Sequence, residues 1–195
     1  GQAGPSIGGV RYDLRRGGIV TAARAPILDL IAHSPEQTRA IAGQLARQLE
    51  PGQVVLLSGA LAAGKTTFAQ GLARALQAGE QVQSPTFTIV VEHDGELPDG
   101  RPVRIYHMDL YRMTGPGDLD SIGIDDYLSD PDAIVIVEWP DRAPGWLPAD
   151  YILVQMEMVA DTKRAIRISP APSPTATRER QAVERVRREV GSGRG

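Results

Sequence analysis

Short apolar runs alternate along the chain with amphipathic stretches, and this alternation predicts an α/β protein with a mainly parallel sheet. The most apolar runs, at residues 53–58 and Ala133–Glu138, are typical of strands buried on both faces of such a sheet. Residues 95–100, bounded by two glycines, predict a hairpin loop. The remaining predicted strands lie at residues 27–31, 82–92, 101–107, 151–159 and 164–169.

Helix signals lie on both sides of the apolar run at residues 53–58. Before it, Ser34 is suited to cap a helix in which Pro35 takes the first position and Gln37 follows three residues after the cap. Apolar side chains then recur at every fourth position as far as Leu49, which predicts a helix with one buried stripe. After the run, a second helix is predicted to extend to about residue 76.

These elements predict one domain with a less regular segment at each end. Residues 1–26 are rich in Gly and lack steady periodicity, so we expect a flexible leader. Residues 27–169 contain the predicted strands and form the α/β domain, in which residues 118–128 are expected to be helical or rich in turns. Residues 170–195 are rich first in Pro and then in Arg and Glu, which predicts a polar segment that is disordered or a short helix.

Composition narrows the chemistry and the location. The 195 residues include no cysteine, which excludes disulfides, thiolate metal sites and a Cys nucleophile. No apolar run approaches the roughly 20 residues that cross a bilayer, so we expect a cytoplasmic protein without a membrane partner. The net charge is −3, and arginines near both ends leave the middle of the chain acidic. An acidic domain argues against direct binding of DNA or tRNA, since phosphates attract basic surfaces.

The strongest chemical signal is a phosphate-binding loop. Gly59, Gly64, Lys65 and Thr66 match the pattern G-x-x-x-x-G-K-[ST], directly after a predicted strand and at the start of a predicted helix. In that context the N–H groups of the loop and of the helix N-terminus converge on phosphate oxygens. We therefore predict that the chain binds ATP, or its product ADP, together with Mg²⁺.

Each part of this loop has an expected role. Lys65 is expected to place its charge on the β- and γ-phosphates, and Thr67 to reach the α-phosphate. The Thr66 hydroxyl is a hard oxygen ligand suited to Mg²⁺. The backbone of the preceding residues completes the predicted nucleotide site: Gly59, Leu61, Ala62, Ala63 and Gly64.

Hydrolysis needs acids beyond the loop, and two fit. Glu138 ends the apolar strand Ala133–Glu138, which puts a carboxylate at the C-terminal edge of a central strand, in a Walker B position suited to Mg²⁺. Asp109 follows another strand-like run and is expected to orient or deprotonate the attacking water. Two plainer alternatives stay open at this point: Glu138 as a surface acid at a strand end, and Asp109 as a helix cap before Leu110.

Further motifs follow the loop in a fixed order. They are Ser-Pro-Thr-Phe-Thr at 84–88, His-Met-Asp-Leu-Tyr-Arg at 107–112, Gly123, and Val-Glu-Trp-Pro at 137–140. Together the motifs resemble the TsaE (YjeE) family, the ATPase of bacterial tRNA threonylcarbamoyladenosine biosynthesis, over residues 27–169. The resemblance implies a P-loop NTPase-like three-layer fold, with a mainly parallel central sheet and flanking antiparallel strands, and a weak ATPase activity.

The resemblance also implies action through partners. The ATPase would support a TsaB–TsaD complex that forms N6-threonylcarbamoyladenosine in tRNAs reading ANN codons, and it would contact tRNA only through that complex. It implies that Ser34 and Thr38 lie near the nucleotide base and that residues 84–88 respond to the γ-phosphate. Trp139 would be the aromatic beside the magnesium acid, and we expect its ring to be partly exposed.

The loop departs from the family's usual Gly-Asp-Leu-Gly-Ala-Gly-Lys at two positions. Ala60 replaces the Asp, and Ala62 replaces a Gly. Phosphate binding should persist, because both positions are variable in the general pattern. Ala62 would nevertheless strain the loop if its φ is positive, so affinity or turnover can differ from the family's.

Two other functions share the same loop. A small-molecule kinase would need an Arg-rich lid, and residues 110–135 contain only Arg112. Arg112 itself suits either a charge-stabilising role or a structural or partner contact. A nucleotide-dependent docking protein with negligible hydrolysis stays open because of Ala60 and Ala62.

Overall fold

The computed structural model describes residues 11–13, 18–20, 27–79 and 89–192. The strands within these ranges are β1 (Arg11–Asp13), β2 (Gly18–Val20), β3 (Leu28–Ala32), β4 (Val54–Ser58), β5 (Val90–Glu96), β6 (Pro102–Asp109), β7 (Ala133–Glu138), β8 (Ile152–Met158) and β9 (Arg164–Pro170). The helices are α1 (Pro35–Ala46), α2 (Lys65–Ala75), α3 (Pro116–Ser121), α4 (Ile124–Leu128) and α5 (Thr177–Ser192), with a 3-10 turn at Pro140–Arg142. No helix in this part of the chain is long and apolar enough to cross a membrane.

Seven of the strands form one sheet in the spatial order β3-β9-β8-β4-β7-β6-β5. The four central strands β8, β4, β7 and β6 are parallel to one another. The outer pairings, β5 with β6, β8 with β9 and β9 with β3, are antiparallel. The predicted fold class, a mainly parallel centre with flanking antiparallel strands, is confirmed.

The two faces of this sheet carry two separate cores, which makes a three-layer molecule. On one face β4, β7 and β8 pack against α1, α2 and α5. On the other face they pack against α3, α4 and the segment after the 3-10 turn. β7 is buried along its whole length, as its uninterrupted apolar run predicts.

Some predicted boundaries shift. The strand predicted at 82–92 falls partly on residues 80–88, which lie outside the described ranges, as does the motif at 84–88. The loop prediction for 95–100 is wrong at its start, because Gly95 and Glu96 belong to β5. A Cβ at Gly95 would lie 2.5 Å from the Leu76 carbonyl oxygen, so this glycine lets the strand pass the end of α2.

The segment after residue 169 contains α5, a helix of 16 residues that contributes to the core. Ala182, Val183 and Val186 are fully buried against the sheet and α1 face. The buried Gln53 side-chain amide donates to Glu179 Oε1 across 2.9 Å. A narrow apolar stripe at helical spacing therefore docks a segment whose composition is mostly charged.

Helices α1 and α2 are in close contact at Gly71. A Cβ on that residue would lie 2.7 Å from the Ala42 Cβ, the Arg39 Cα and the Arg39 carbonyl oxygen. No ordinary side chain fits there without moving backbone. Because α2 begins at Lys65, this contact also fixes the helix that carries the phosphate-binding loop.

We expect Gly71→Ala to lower the free energy of unfolding by about 1–3 kcal/mol, since the overpacking outweighs the better helix propensity of Ala. Gly43→Ala is the matched control on α1, where a Cβ would lie 3.6 Å from the Ala75 Cβ, an ordinary contact. That variant should be neutral or stabilised by up to about 1 kcal/mol. Urea denaturation of both variants measures the difference, and equal effects would contradict the close-packing account.

Candidate functional site

The candidate site lies at the C-terminal edge of the parallel strands. β4 ends at Ser58, and the loop at residues 59–64 leads into α2. In the parallel register, Glu138 of β7 is opposite Leu57 of β4, and Asp109 of β6 is opposite Glu138. Both predicted acids therefore reach the same sheet edge as the loop.

Three loop residues have the left-handed φ values that usually require glycine. They are Gly59 (φ 155°), Ala62 (φ 64°) and Gly64 (φ 104°). A side chain at Gly59 is excluded, because its Cβ would lie 2.4 Å from the Met156 carbonyl oxygen. Ala62 has the positive φ that was expected to strain the loop, and an L-residue in this conformation costs about 1–2 kcal/mol. The loop therefore stores backbone strain at one position.

The Lys65 ammonium is held at the mouth of the loop. Its Nζ donates to the carbonyl oxygens of Gly59 and Ala60, each at 2.7 Å, and lies 3.8 Å from the centre of the Trp139 ring. The residue is only 5 % exposed. Burial lowers the pKa of this ammonium, and nearby carboxylates, with Glu138 foremost, oppose the shift. The Lys65 ammonium is thus buried between the loop carbonyls and the face of the Trp139 ring.

Glu138 connects the loop to the neighbouring strand. The Thr66 hydroxyl donates to Glu138 Oε2 at 3.1 Å, and Glu138 Oε1 lies 2.8 Å from His107 Nε2. Glu138 is 1 % exposed, so the alternative that it is a surface acid is wrong. An ionised carboxylate only accepts hydrogen bonds, so Nε2–H of His107 is the donor. Two donors on different elements therefore fix both oxygens of this acid.

Sequence reasoning gave His107 no role. It is completely buried, and its Nδ1 has no hydrogen-bond partner among the described residues. It precedes Asp109 by two positions on β6, so both side chains point to the same face of the sheet. This strand periodicity was the available signal that His107 faces the site.

Asp109 is partly buried at the end of β6. Its Oδ1 accepts a hydrogen bond from the Tyr111 backbone N–H at 3.0 Å. Residues 110–115 form turns and no helix, so the alternative that Asp109 caps a helix is wrong, and its carboxylate instead makes a local turn contact. That contact orients the side chain beside Glu138 without excluding a second role for it.

An aromatic pair forms one wall of the site. Trp139 is half-buried, as predicted, and has a left-handed backbone with φ 59°. The Trp139 backbone N–H donates to the Leu57 carbonyl oxygen at 3.3 Å. The centre of its ring lies 4.8 Å from the centre of the Tyr111 ring. Tyr111 is 44 % exposed, and Leu61 at the tip of the loop is 71 % exposed. Apolar side chains therefore surround the opening of the site.

The two residues expected near the base lie at the start of α1. Ser34 Oγ caps the helix by accepting from the Gln37 N–H at 3.2 Å. The Thr38 hydroxyl donates to the Ser34 carbonyl oxygen at 3.3 Å, and Thr38 is 1 % exposed. Both hydroxyls are therefore engaged within the first turn of the helix. Arg112, also noted in the sequence, is exposed.

Arg164, at the start of β9, also contacts the loop, and no sequence signal indicated it. Its Nη2 donates to the Ala62 carbonyl oxygen at 3.3 Å. In the sheet it pairs with Ala32, the last residue of β3 and two positions before Ser34. Through β9 the start of α1 and the loop are therefore neighbours.

Comparisons with known proteins identify the family of the chain. The family model of threonylcarbamoyl adenosine biosynthesis protein TsaE matches residues 32–166. The tRNA threonylcarbamoyladenosine biosynthesis protein TsaE of Bacillus subtilis is 39 % identical over 134 residues, which cover 68 % of this chain and 79 % of the relative. The protein of the same name from Treponema pallidum is 34 % identical over 71 % of this chain and 98 % of its own length.

A solved structure extends the comparison to the fold. The crystal structure of Bacillus subtilis YdiB superposes with a TM-score of 0.65 and 31 % sequence identity, covering 87 % of this chain and 99 % of that chain. The resemblance drawn from the motifs is confirmed, and the chain belongs to the TsaE family of tRNA threonylcarbamoyladenosine biosynthesis proteins.

Proposed function

We propose that this chain is a cytoplasmic, magnesium-dependent ATPase that converts ATP slowly to ADP and phosphate. Its activity supports a TsaB–TsaD complex in forming N6-threonylcarbamoyladenosine in tRNAs that read ANN codons. The observation that carries the proposal is the convergence of Thr66, Glu138 and Asp109 at one sheet edge beside Lys65. The other predicted site residues provide the surrounding nucleotide contacts.

Nucleotide binding follows from the loop and its lysine. The loop N–H groups and the α2 N-terminus would donate hydrogen bonds to the phosphate oxygens, while Lys65 would exchange its two carbonyl contacts for phosphate oxygens. Burial makes that exchange favourable, because a phosphate offers a full charge where the carbonyls offer only dipoles. With both hydroxyls engaged in α1, Ser34 and Thr38 would meet the base through their backbone and packing surface.

The donor set fits magnesium. Thr66 Oγ1 and Glu138 Oε2 are hard oxygen ligands only 3.1 Å apart, close enough to hold one small ion directly or through water. When bound to Thr66 and Glu138, Mg²⁺ would neutralise negative charge on the phosphate groups. His107 would keep Glu138 oriented by holding the other carboxylate oxygen, as outer partners of metal ligands commonly do.

Asp109 would act on the water that attacks the γ-phosphorus. The Tyr111 N–H fixes its Oδ1, so the carboxylate is held for accepting a hydrogen bond from that water. The exposed Tyr111 and Leu61 support activation by a partner, because a protein surface that covers them would also exclude bulk water from the site. Activity alone should therefore be slow.

A docking role with negligible hydrolysis is a second candidate. The strained Ala62 and the uncharged Ala60 favour it, since both alter the loop that must position the γ-phosphate. In that case ATP binding itself, without turnover, would regulate the partner complex.

The first test is phosphate release with Mg·ATP, measured alone and with purified TsaB–TsaD. We expect slow release alone and clear stimulation by the pair. Asp109→Asn should leave ATP affinity within about threefold and lower turnover by at least about 100-fold, because it removes the group that orients water. The matched control is Asp94→Asn, an exposed acid on β5 opposite Arg104 and far along the sheet from Asp109, which should leave turnover unchanged.

Three outcomes of this assay contradict specific parts of the account. Tight ATP binding without stimulation favours the docking role. Full turnover by Asp109→Asn removes the water-orienting assignment. Phosphate transfer to an added metabolite would replace the ATPase by a kinase.

The second test separates metal binding from nucleotide binding. Thr66→Ala should weaken the Mg²⁺-dependent gain in ATP affinity by about tenfold, because it removes one oxygen ligand. Affinity measured in EDTA should change little. Fluorescent ATP titrated with and without Mg²⁺ reports both quantities, and an equal loss under the two conditions would mean that Thr66 does not serve the metal.

A further inference from the structure

Ala62 occupies a turn that usually contains glycine. The Ala63 N–H donates to the Ala60 carbonyl oxygen at 3.1 Å, which closes a four-residue turn. Ala62 is the third residue of that turn, and its φ of 64° is the feature of type II turns that favours Gly. Strained backbone persists only where the surrounding structure over-determines it. Some group outside the turn must therefore hold Ala62.

Arg164 is in position to be that group. Its Nη1 donates to the carbonyl oxygens of the turn between β8 and β9, those of Ala160, Asp161 and Lys163, at 3.0–3.1 Å. Its Nη2 donates to the Ala62 carbonyl oxygen at 3.3 Å. The Arg164 guanidinium therefore donates hydrogen bonds to the β8–β9 turn through one nitrogen and to the strained Ala62 through the other.

The peptide group between Ala62 and Ala63 is held at both ends. Its carbonyl accepts from Arg164, and its N–H donates to Ala60. Because a peptide group is planar, two hydrogen bonds at opposite ends fix its orientation and therefore ψ of Ala62, the second backbone torsion of the residue whose φ is strained. The Arg164 stem also lies beside the loop, since a Cβ on Gly64 would be 3.6 Å from Arg164 Nε.

We propose that Arg164 is a positioning residue that holds the phosphate-binding loop in its working shape and offsets the strain of an alanine at position 62. It acts on the carbonyl side of the loop and occupies none of the loop N–H groups. A chain with glycine at position 62 would need this contact far less. The proposal rests on the proposed nucleotide binding for its functional consequence, but the strain itself exists without nucleotide.

The test is a double-mutant cycle between Ala62→Gly and Arg164→Met. Methionine keeps an unbranched stem and removes the donors. In the parent chain Arg164→Met should weaken ADP binding about tenfold, in line with loss of a charged hydrogen bond that orders a loop. In the Ala62→Gly chain the same change should weaken it no more than about twofold. Titration calorimetry gives all four dissociation constants.

The same cycle is measured on urea unfolding of the nucleotide-free proteins. Arg164→Met should lower the free energy of unfolding at least about twice as much with Ala62 as with Gly at that position. The matched control is Arg167→Met on the same strand, which loses a 2.6 Å ion pair with Asp29 and should leave ADP affinity unchanged. If Arg164 only stabilised the β8–β9 hairpin, Arg164→Met would lower the free energy of unfolding equally with Ala or Gly at position 62.

The outcomes are distinguishable. Equal effects of Arg164→Met in the two backgrounds, in affinity and in stability, would overturn the proposal. Absence of ADP and ATP binding by the parent chain would overturn the proposed function, while the unfolding cycle would still decide the role of Arg164. Coupling in both measurements supports the proposal.

Discussion

The parallel register of β4, β7 and β6 is the constraint on which the site depends. It puts Glu138 opposite Leu57 and Asp109 opposite Glu138, so that two acids from separate strands meet the loop that follows β4. A slip of one residue would turn both carboxylates to the other face of the sheet. β7 is buried along its whole length and its side chains pack into a separate core on each face, so a slip would misplace every one of these closely packed side chains. Core packing thereby sets the geometry of the polar site.

Two of the three non-glycine residues with positive φ in the described ranges lie at this same edge. Ala62 and Trp139 both have left-handed φ values, and each is held by contacts from outside its own turn. Arg164 holds the Ala62 carbonyl, while Trp139 is held by the Leu57 carbonyl and by packing on Lys65. Such strain persists where the surrounding structure holds the backbone in place, and it pre-organises a loop for binding. In this protein the rigid support comes from the sheet edge and the β8–β9 hairpin.

Local pattern predicted much of the fold, and it predicted that the proposed site residues follow strand ends. The ends of predicted strands indicated the positions of the P-loop, Glu138 and Asp109, because each lies at the end of a strand-like run or directly after it. The contact between Arg164 and Ala62 could not be predicted from the sequence, because it joins residues far apart through the pairing of β9 with β3 and β8. The docking of α5 was also hidden, since its buried stripe is narrow within a charged segment. Both the Arg164–Ala62 contact and the docking of α5 depend on residues far apart in the sequence, which local patterns do not reveal.

The most direct test of the account is a single-turnover measurement with γ-labelled ATP bound to the protein and TsaB–TsaD in excess. The account predicts that the wild-type chain converts its bound ATP to ADP and phosphate, whereas Asp109→Asn keeps the ATP intact with similar affinity. Modification of tRNA by the complete system while the bound ATP stays uncleaved would contradict the central claim. It would leave a nucleotide-dependent docking protein in place of an ATPase.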